Sequence, residues 1–240
     1  MSNQWAIEKQ KEMCELWQAH FPDHKSGFEL FTSPMYENAS AVIIGYNAGG
    51  GDREATMHNR YMDRFLADEP DFSLPDHGHY PKGEAGYLVA SRIRKYLFNG
   101  KEHLLENAVE TNRYFLRTED KSHHHDIMEA ASESTRESYL NFCRDTIRGV
   151  IQRANPSVVV DFGGEKSAKK FSSDLNYGFE QHDTHKLNGE NGTTISIEVG
   201  ELTDSSNTPF ISISPHLSYP PLAMEHLNFL KETVPPLLPE

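Results

Sequence analysis

Residues 41–54 read "AVIIGYNAGGGDRE", and the change of character inside them decides the fold class. Ala41 to Ile44 is an apolar, β-branched run with no polar residue at alternate positions, which is how a strand buried on both faces reads. From Gly45 the run opens into a glycine-lined turn, Gly49-Gly50-Gly51, carrying one amide, Asn47, and one acid, Asp52. A strand of this kind needs cover on both sides, and the flanking sequence supplies it.

"QWAIEKQKEMCELWQAHF" (4–21) places Trp5, Met13, Leu16 and Trp17 near one helical face and ends at Phe21-Pro22. Residues 55–68 are weakly helical in pattern, and Pro70 to Lys82 reads as a loop rich in Pro, Asp and His. "GEAGYLVASRIRKYLF" (83–98) has helical spacing, and "NAVETNRYF" (107–115) reads as a short strand running into a loop. Residues 136–156 are the clearest helix, with Tyr139, Phe142, Cys143, Ile147, Val150 and Ile151 on one stripe and Pro156 as the stop. "SVVVDFGG" (157–164) is a second buried strand that turns into a short helix start, "EKSAKKF". "TTISIEV" alternates like an edge or half-exposed strand, "PFISIS" is another short strand, and a final amphipathic segment carries Leu222, Met224, Leu227 and Leu230. Helices alternating with buried strands predict a three-layer α/β/α fold with a central, mostly parallel sheet of about four strands. One domain spanning 1–240 is expected, with 1–39 as an N-terminal helical extension.

The composition sets limits on function. A hydrophobic fraction of 37% with 10% aromatics suffices for a core. No basic region followed by an apolar stretch opens the chain, and no apolar run reaches the ~20 residues of a membrane span. Two cysteines, Cys14 and Cys143, lie in helical patterns without CxxC company, which argues against a metal ribbon or disulfide scaffold and for a cytoplasmic chain. The net charge of −13 is unevenly spread: residues 82–170 hold 15 Lys/Arg against 13 Asp/Glu, whereas 171–240 hold 2 against 10. A phosphate-binding face therefore has to come from the middle third.

In sheets of this class, ligands bind beyond the carboxyl ends of the strands. Three predicted strand-end loops carry functional side chains: "GYNAGGGD" after Ile44, "TNRYFLR" after Val109 and "SPHLSY" after Ile213. Singly, each has a plain reading as a tight connection, a turn cap or a satisfied loop histidine. Their joint placement at one sheet edge sets them apart.

The trio resembles the uracil-DNA glycosylase superfamily. "GYNAGG" matches its first motif in the Gly-x-Asn version of the mismatch-specific and single-strand-selective branches. "VETN" is similar to the strand ending in the base-reading Asn, and "SPHLS" to the His-Pro-Ser loop. "NPSVVVDFGGEKSAKKF" is similar to the Pro–strand–Gly–helix segment between them, so the likeness covers roughly 40–220. The chain departs from the pattern at Ala48, where the family has Pro, and at Pro215-His216, where Pro precedes the His.

The resemblance implies a monofunctional glycosylase that flips a base out of DNA and hydrolyses its N-glycosidic bond. It would act as a monomer without metal, iron–sulfur cluster or other cofactor. Asn47 would hold the attacking water, and His216 would donate to the departing base anion. Asp52 would add electrostatic push or cap a following helix. Asn112 would pair with the base edge, as uracil or, flipped, as cytosine. Gly45, Tyr46, Ala48, Gly49, Ser214, Pro215, Ser218 and Tyr219 would line the substrate site, with Tyr114 and Phe115 as stacking, wedge or core residues. Arg113, Lys166 and Lys169, together with Arg117 and Lys170, would form the phosphate-facing surface. Gly49 stands where the strict uracil branch has an aromatic that excludes thymine, which points to a 5-substituted pyrimidine. Two other readings stay open: a non-catalytic binder of the same fold, and a metal-dependent hydrolase built on His123, His124, His125 and Asp126 in a polar loop.

Overall fold

The computed structural model describes residues 2–49, 62–82, 88–163, 168–188, 194–204, 207–214 and 224–240. Six strands form one sheet in the order β2-β1-β3-β6-β5-β4: β1 Val42–Gly49, β2 Val109–Thr118, β3 Val159–Asp161, β4 Phe179–Asn188, β5 Thr194–Leu202 and β6 Thr208–Ser214. The pairs β1/β2, β1/β3 and β3/β6 are parallel, and β5 and β4 add an antiparallel hairpin beyond β6. The class is α/β with a mostly parallel mixed sheet. The expected count of about four is corrected to six among the described residues. The unforeseen strand is β4, whose sequence, "FEQHDTHKLN", is polar at nearly every position and shows no apolar alternation.

Helices cover both faces, and the strands divide their side chains accordingly. Val42, Ile44, Val159 and Phe210 belong to one apolar cluster, packed by α1 (Ser2–His20), α5 (Glu133–Ala154) and α6 (Ala168–Leu175). Ile43, Val160, Ile211 and Ile213 belong to the other, packed by α3 (Leu88–Arg92), the π turn Ile93–Leu97 and α7 (Met224–Thr233). Two shorter helices are α2 (His79–Lys82) and α4 (Lys121–Ala130). Helix α5 starts on Ser132, whose side chain accepts from Thr135 N, and stops at Asn155, which adopts φ 41° before Pro156. Segment 121–130, expected as a polar loop, is helical because Asp120 caps it by accepting from His123 N at 2.8 Å.

The N-terminal 39 residues are part of the fold rather than an appendage to it. Met13, Trp17, Phe21, Phe28 and Phe31 are buried in the first cluster. Segment 28–32 bridges the outer edge of β2 at Leu116 and Thr111, with Glu29 N donating to Phe115 O at 2.8 Å. That covers an edge that would otherwise offer an unpaired ladder. Among the described residues, no helix is long and apolar enough to cross a membrane.

Candidate functional site

Strand β2 runs through Asn112 to Thr118, so Asn112 sits within a strand and not in a strand-end loop as expected. Its register partner is Gly45 on β1. A side chain at Gly45 would come 2.5 Å from Asn112 Oδ1 and 3.7 Å from Phe162, so the missing Cβ is what lets the amide lie across the strand. Tyr80 packs edge-on to Phe162 with ring centres 6.4 Å apart. Gly45, Asn112, Phe162 and Tyr80 thus lie together on the α3/α7 face.

Asn47 lies two residues beyond Gly45, on the same face by strand alternation. Its Nδ2 donates to Thr118 O at 2.9 Å and to Thr118 Oγ1 at 2.7 Å, and Thr118 Oγ1 donates onward to Asp120 O at 3.0 Å. A carbonyl oxygen only accepts, so the arm of the amide facing Thr118 is the nitrogen, and Oδ1 is the arm turned away from it. Thr118 reaches Asn47 because the β1/β2 register slips: Asn47 pairs with Tyr114, but Gly49 pairs with Thr118. The extra residues of β2 form a bulge whose amides at Phe115 and Leu116 both donate to Tyr139 Oη, at 2.9 and 3.0 Å.

On the opposite face, two of the expected phosphate contacts, Arg113 and Arg117, are corrected. Arg113 is 2% exposed and donates to Asp161 Oδ2 at 2.8 Å, with its guanidinium over Phe171 at 4.8 Å. Arg117 is buried against Glu29 at 3.5 Å. Both cations hold the interior together. Asp161 also accepts from Gly163 N at 3.2 Å and Ser212 Oγ at 3.4 Å. The register continues from Asp161 through Ser212 to Glu198, which accepts from Ala168 N at 2.7 Å at the start of α6. A buried polar row therefore crosses the carboxyl half of the sheet. Lys170 pairs with Asp174 beside a cleft of about 360 Å³ that Tyr114, Leu140 and Arg144 help to line.

Tyr46 meets Tyr114 edge-on at 5.0 Å, Lys121 lies over its ring at 4.4 Å, and Tyr114 stacks on His124 at 4.5 Å. Phe115 is core. His124 is buried, and burial pushes its pKa down to about 4, with the neighbouring histidines adding to the effect. His125 instead pairs with Glu129 in solvent. The adjacent histidines diverge around α4, and among the described residues no group of three or more His, Cys, Asp or Glu could hold a metal ion. The metal-hydrolase reading has nothing to stand on there.

One further group had no counterpart in the sequence reading. Glu110, the second residue of β2 and 1% exposed, accepts from His79 N at 2.8 Å through Oε2 and from Tyr80 N at 3.1 Å through Oε1. Burial raises its pKa to about 7 against the opposing pull of those amides. Thr118, Phe162, Tyr80 and Asp161 were likewise not anticipated. Only "DFGG", an acid and an aromatic closing a buried strand, carried a signal that could have exposed any of them. Ser214 ends β6 opposite Ser196. Asp52, Lys166, Pro215, His216, Ser218 and Tyr219 lie outside the described residues, as do the side chains of Ala48 and Lys169. Neither family models nor curated proteins match this chain.

Proposed function

We propose that the chain is a monofunctional DNA glycosylase acting on uracil or a 5-substituted pyrimidine flipped out of DNA. The observation that carries this reading is the pair of amides on adjacent parallel strands. Asn112 lies across Gly45 beside Phe162, where it can match a donor and an acceptor on a pyrimidine edge. Asn47, two positions further along β1, is held by Thr118 with Oδ1 as the acceptor on its other arm. An amide oxygen so placed orients a water and does not deprotonate it. The rate then comes from loosening the glycosidic bond and stabilising the base anion, the part assigned to His216.

The test is a panel of oligonucleotides carrying uracil, hypoxanthine, 5-methylcytosine and 5-hydroxymethylcytosine, scored for alkali-labile sites. Wild type is expected to cleave at least one. Asn47→Ala and Asn112→Ala should each fall by about a hundredfold or more while remaining folded. A folded wild type that leaves the whole panel intact overturns the reading.

A further inference from the structure

The geometry points to Glu110 as a positioning residue that clamps the Gly78–Tyr80 segment to the sheet and so sets the place of Tyr80 beside Phe162 and Asn112. The inference rests on the glycosylase reading and names a part of its site. A carboxylate buried near the start of a strand is costly unless bonded. Both Glu110 oxygens are engaged by consecutive main-chain amides, His79 N on Oε2 and Tyr80 N on Oε1, with Thr32 Oγ1 at 3.4 Å from Oε2. The approach is so close that a side chain at Gly78 would overlap the carboxylate. Two bonds to successive residues fix a segment in orientation as well as position.

Two structural relations give the clamp a functional target. Glu110 and Asn112 are two apart on β2 and share a face. Tyr80, whose own amide is one of the clamped pair, sets its ring edge-on to Phe162, the residue that packs beside Gly45 and Asn112. A planar base pairing with Asn112 would therefore meet a ring whose place is set by one buried carboxylate. Ionised, Glu110 accepts both amides. Protonated, it places a hydrogen where an acceptor is needed. The titratable groups around it are Tyr36 from the N-terminal segment, with Glu106 beyond it, and His79 of α2.

The experiment uses the full chain and whichever oligonucleotide of the panel wild type cleaves. Glu110→Gln keeps the shape but turns one acceptor into a donor. Gly78→Ala leaves the carboxylate and displaces the segment, and it serves should the Gln protein not fold. Amide hydrogen exchange of residues 76–82 is read alongside kcat and KM between pH 6 and pH 8.5. Expected are faster exchange at 78–80 and a KM raised about tenfold or more in both variants. The wild-type KM should fall as pH rises through about 7, and this dependence should be lost in Glu110→Gln. Unchanged exchange overturns the clamp. Faster exchange with wild-type kinetics and pH profile reduces Glu110 to a structural role and overturns the positioning. An inactive wild type overturns the glycosylase reading and this inference together, whereas an active wild type matched by both variants overturns the inference alone.

Discussion

Gly45 owes its place to the Asn112 amide that lies over it. In Gly45→Ala the new Cβ meets Asn112 Oδ1, the mobile end of a side chain, so the fold can give way where the site cannot. Stability should change by no more than about 1 kcal/mol, and excision should drop by about tenfold or more; thermal melts and single-turnover rates measure the two separately. His124 is the second informative residue. Its folded pKa of about 4 lies below the ordinary 6.5, so its contribution is fully present above pH 6.5 and is lost as pH falls towards 4, about 3 kcal/mol in all. Glu110 acts with the opposite sign: its raised pKa favours the fold at low pH, and that contribution fades as pH rises through about 7. Denaturant titrations of wild type and His124→Phe separate the two. The Phe ring preserves the stack on Tyr114 and leaves no buried Nε2, so the gap between the proteins should open only below pH 6.5.

At the scale of elements, β2 is the strand that organises the site, and its bulge is the reason. Tyr139, fully buried on α5, takes the two amides that the bulge frees from the ladder. Tyr139→Phe strands both, at a cost of roughly 2–4 kcal/mol, and should also loosen the Thr118 anchor of Asn47, so that a chemical melt and the excision rate fall together. The long helices α1 and α5 and the buried parts of the four parallel strands were legible because burial on both faces and amphipathic spacing are written locally, whereas α2 and α4 fell in stretches read as loops. Asn112 as a strand residue was not, since "TNRYFLR" mixes polar and apolar residues just where the bulge switches the face that β2 buries. Of the residues grouped in the candidate site, the sequence pointed to the two amides, Asn47 and Asn112, and to Gly45. Thr118, Phe162, Tyr80 and Glu110 come near it through register and through the one-turn helix α2, which no local pattern encodes. Arg113 and Arg117 show the reverse failure: charge in a sequence reads as surface until a buried acid such as Asp161 or Glu29 is placed opposite.

Taken whole, the molecule closes one edge of its sheet with its own N-terminal segment and spends two arginines of its least acidic third on internal partners. At the amino end of α6, where the field of a helix would welcome a phosphate, Glu198 already bonds the first described amide. The consequence concerns what drives association with DNA. Each phosphate that a protein neutralises releases condensed counterions, so the fall of affinity with salt counts those contacts. For Asn47→Ala on a duplex carrying the preferred base, the slope of log affinity against log salt should be about −3 or shallower, whereas six to ten contacts would give roughly −5 to −9. Fluorescence anisotropy between 50 and 200 mM salt reads it directly, and a slope steeper than about −6 would reveal a cationic face elsewhere. Under the proposed function, such a molecule would find its target less by the long-range pull of the backbone than by the fit of one extruded base.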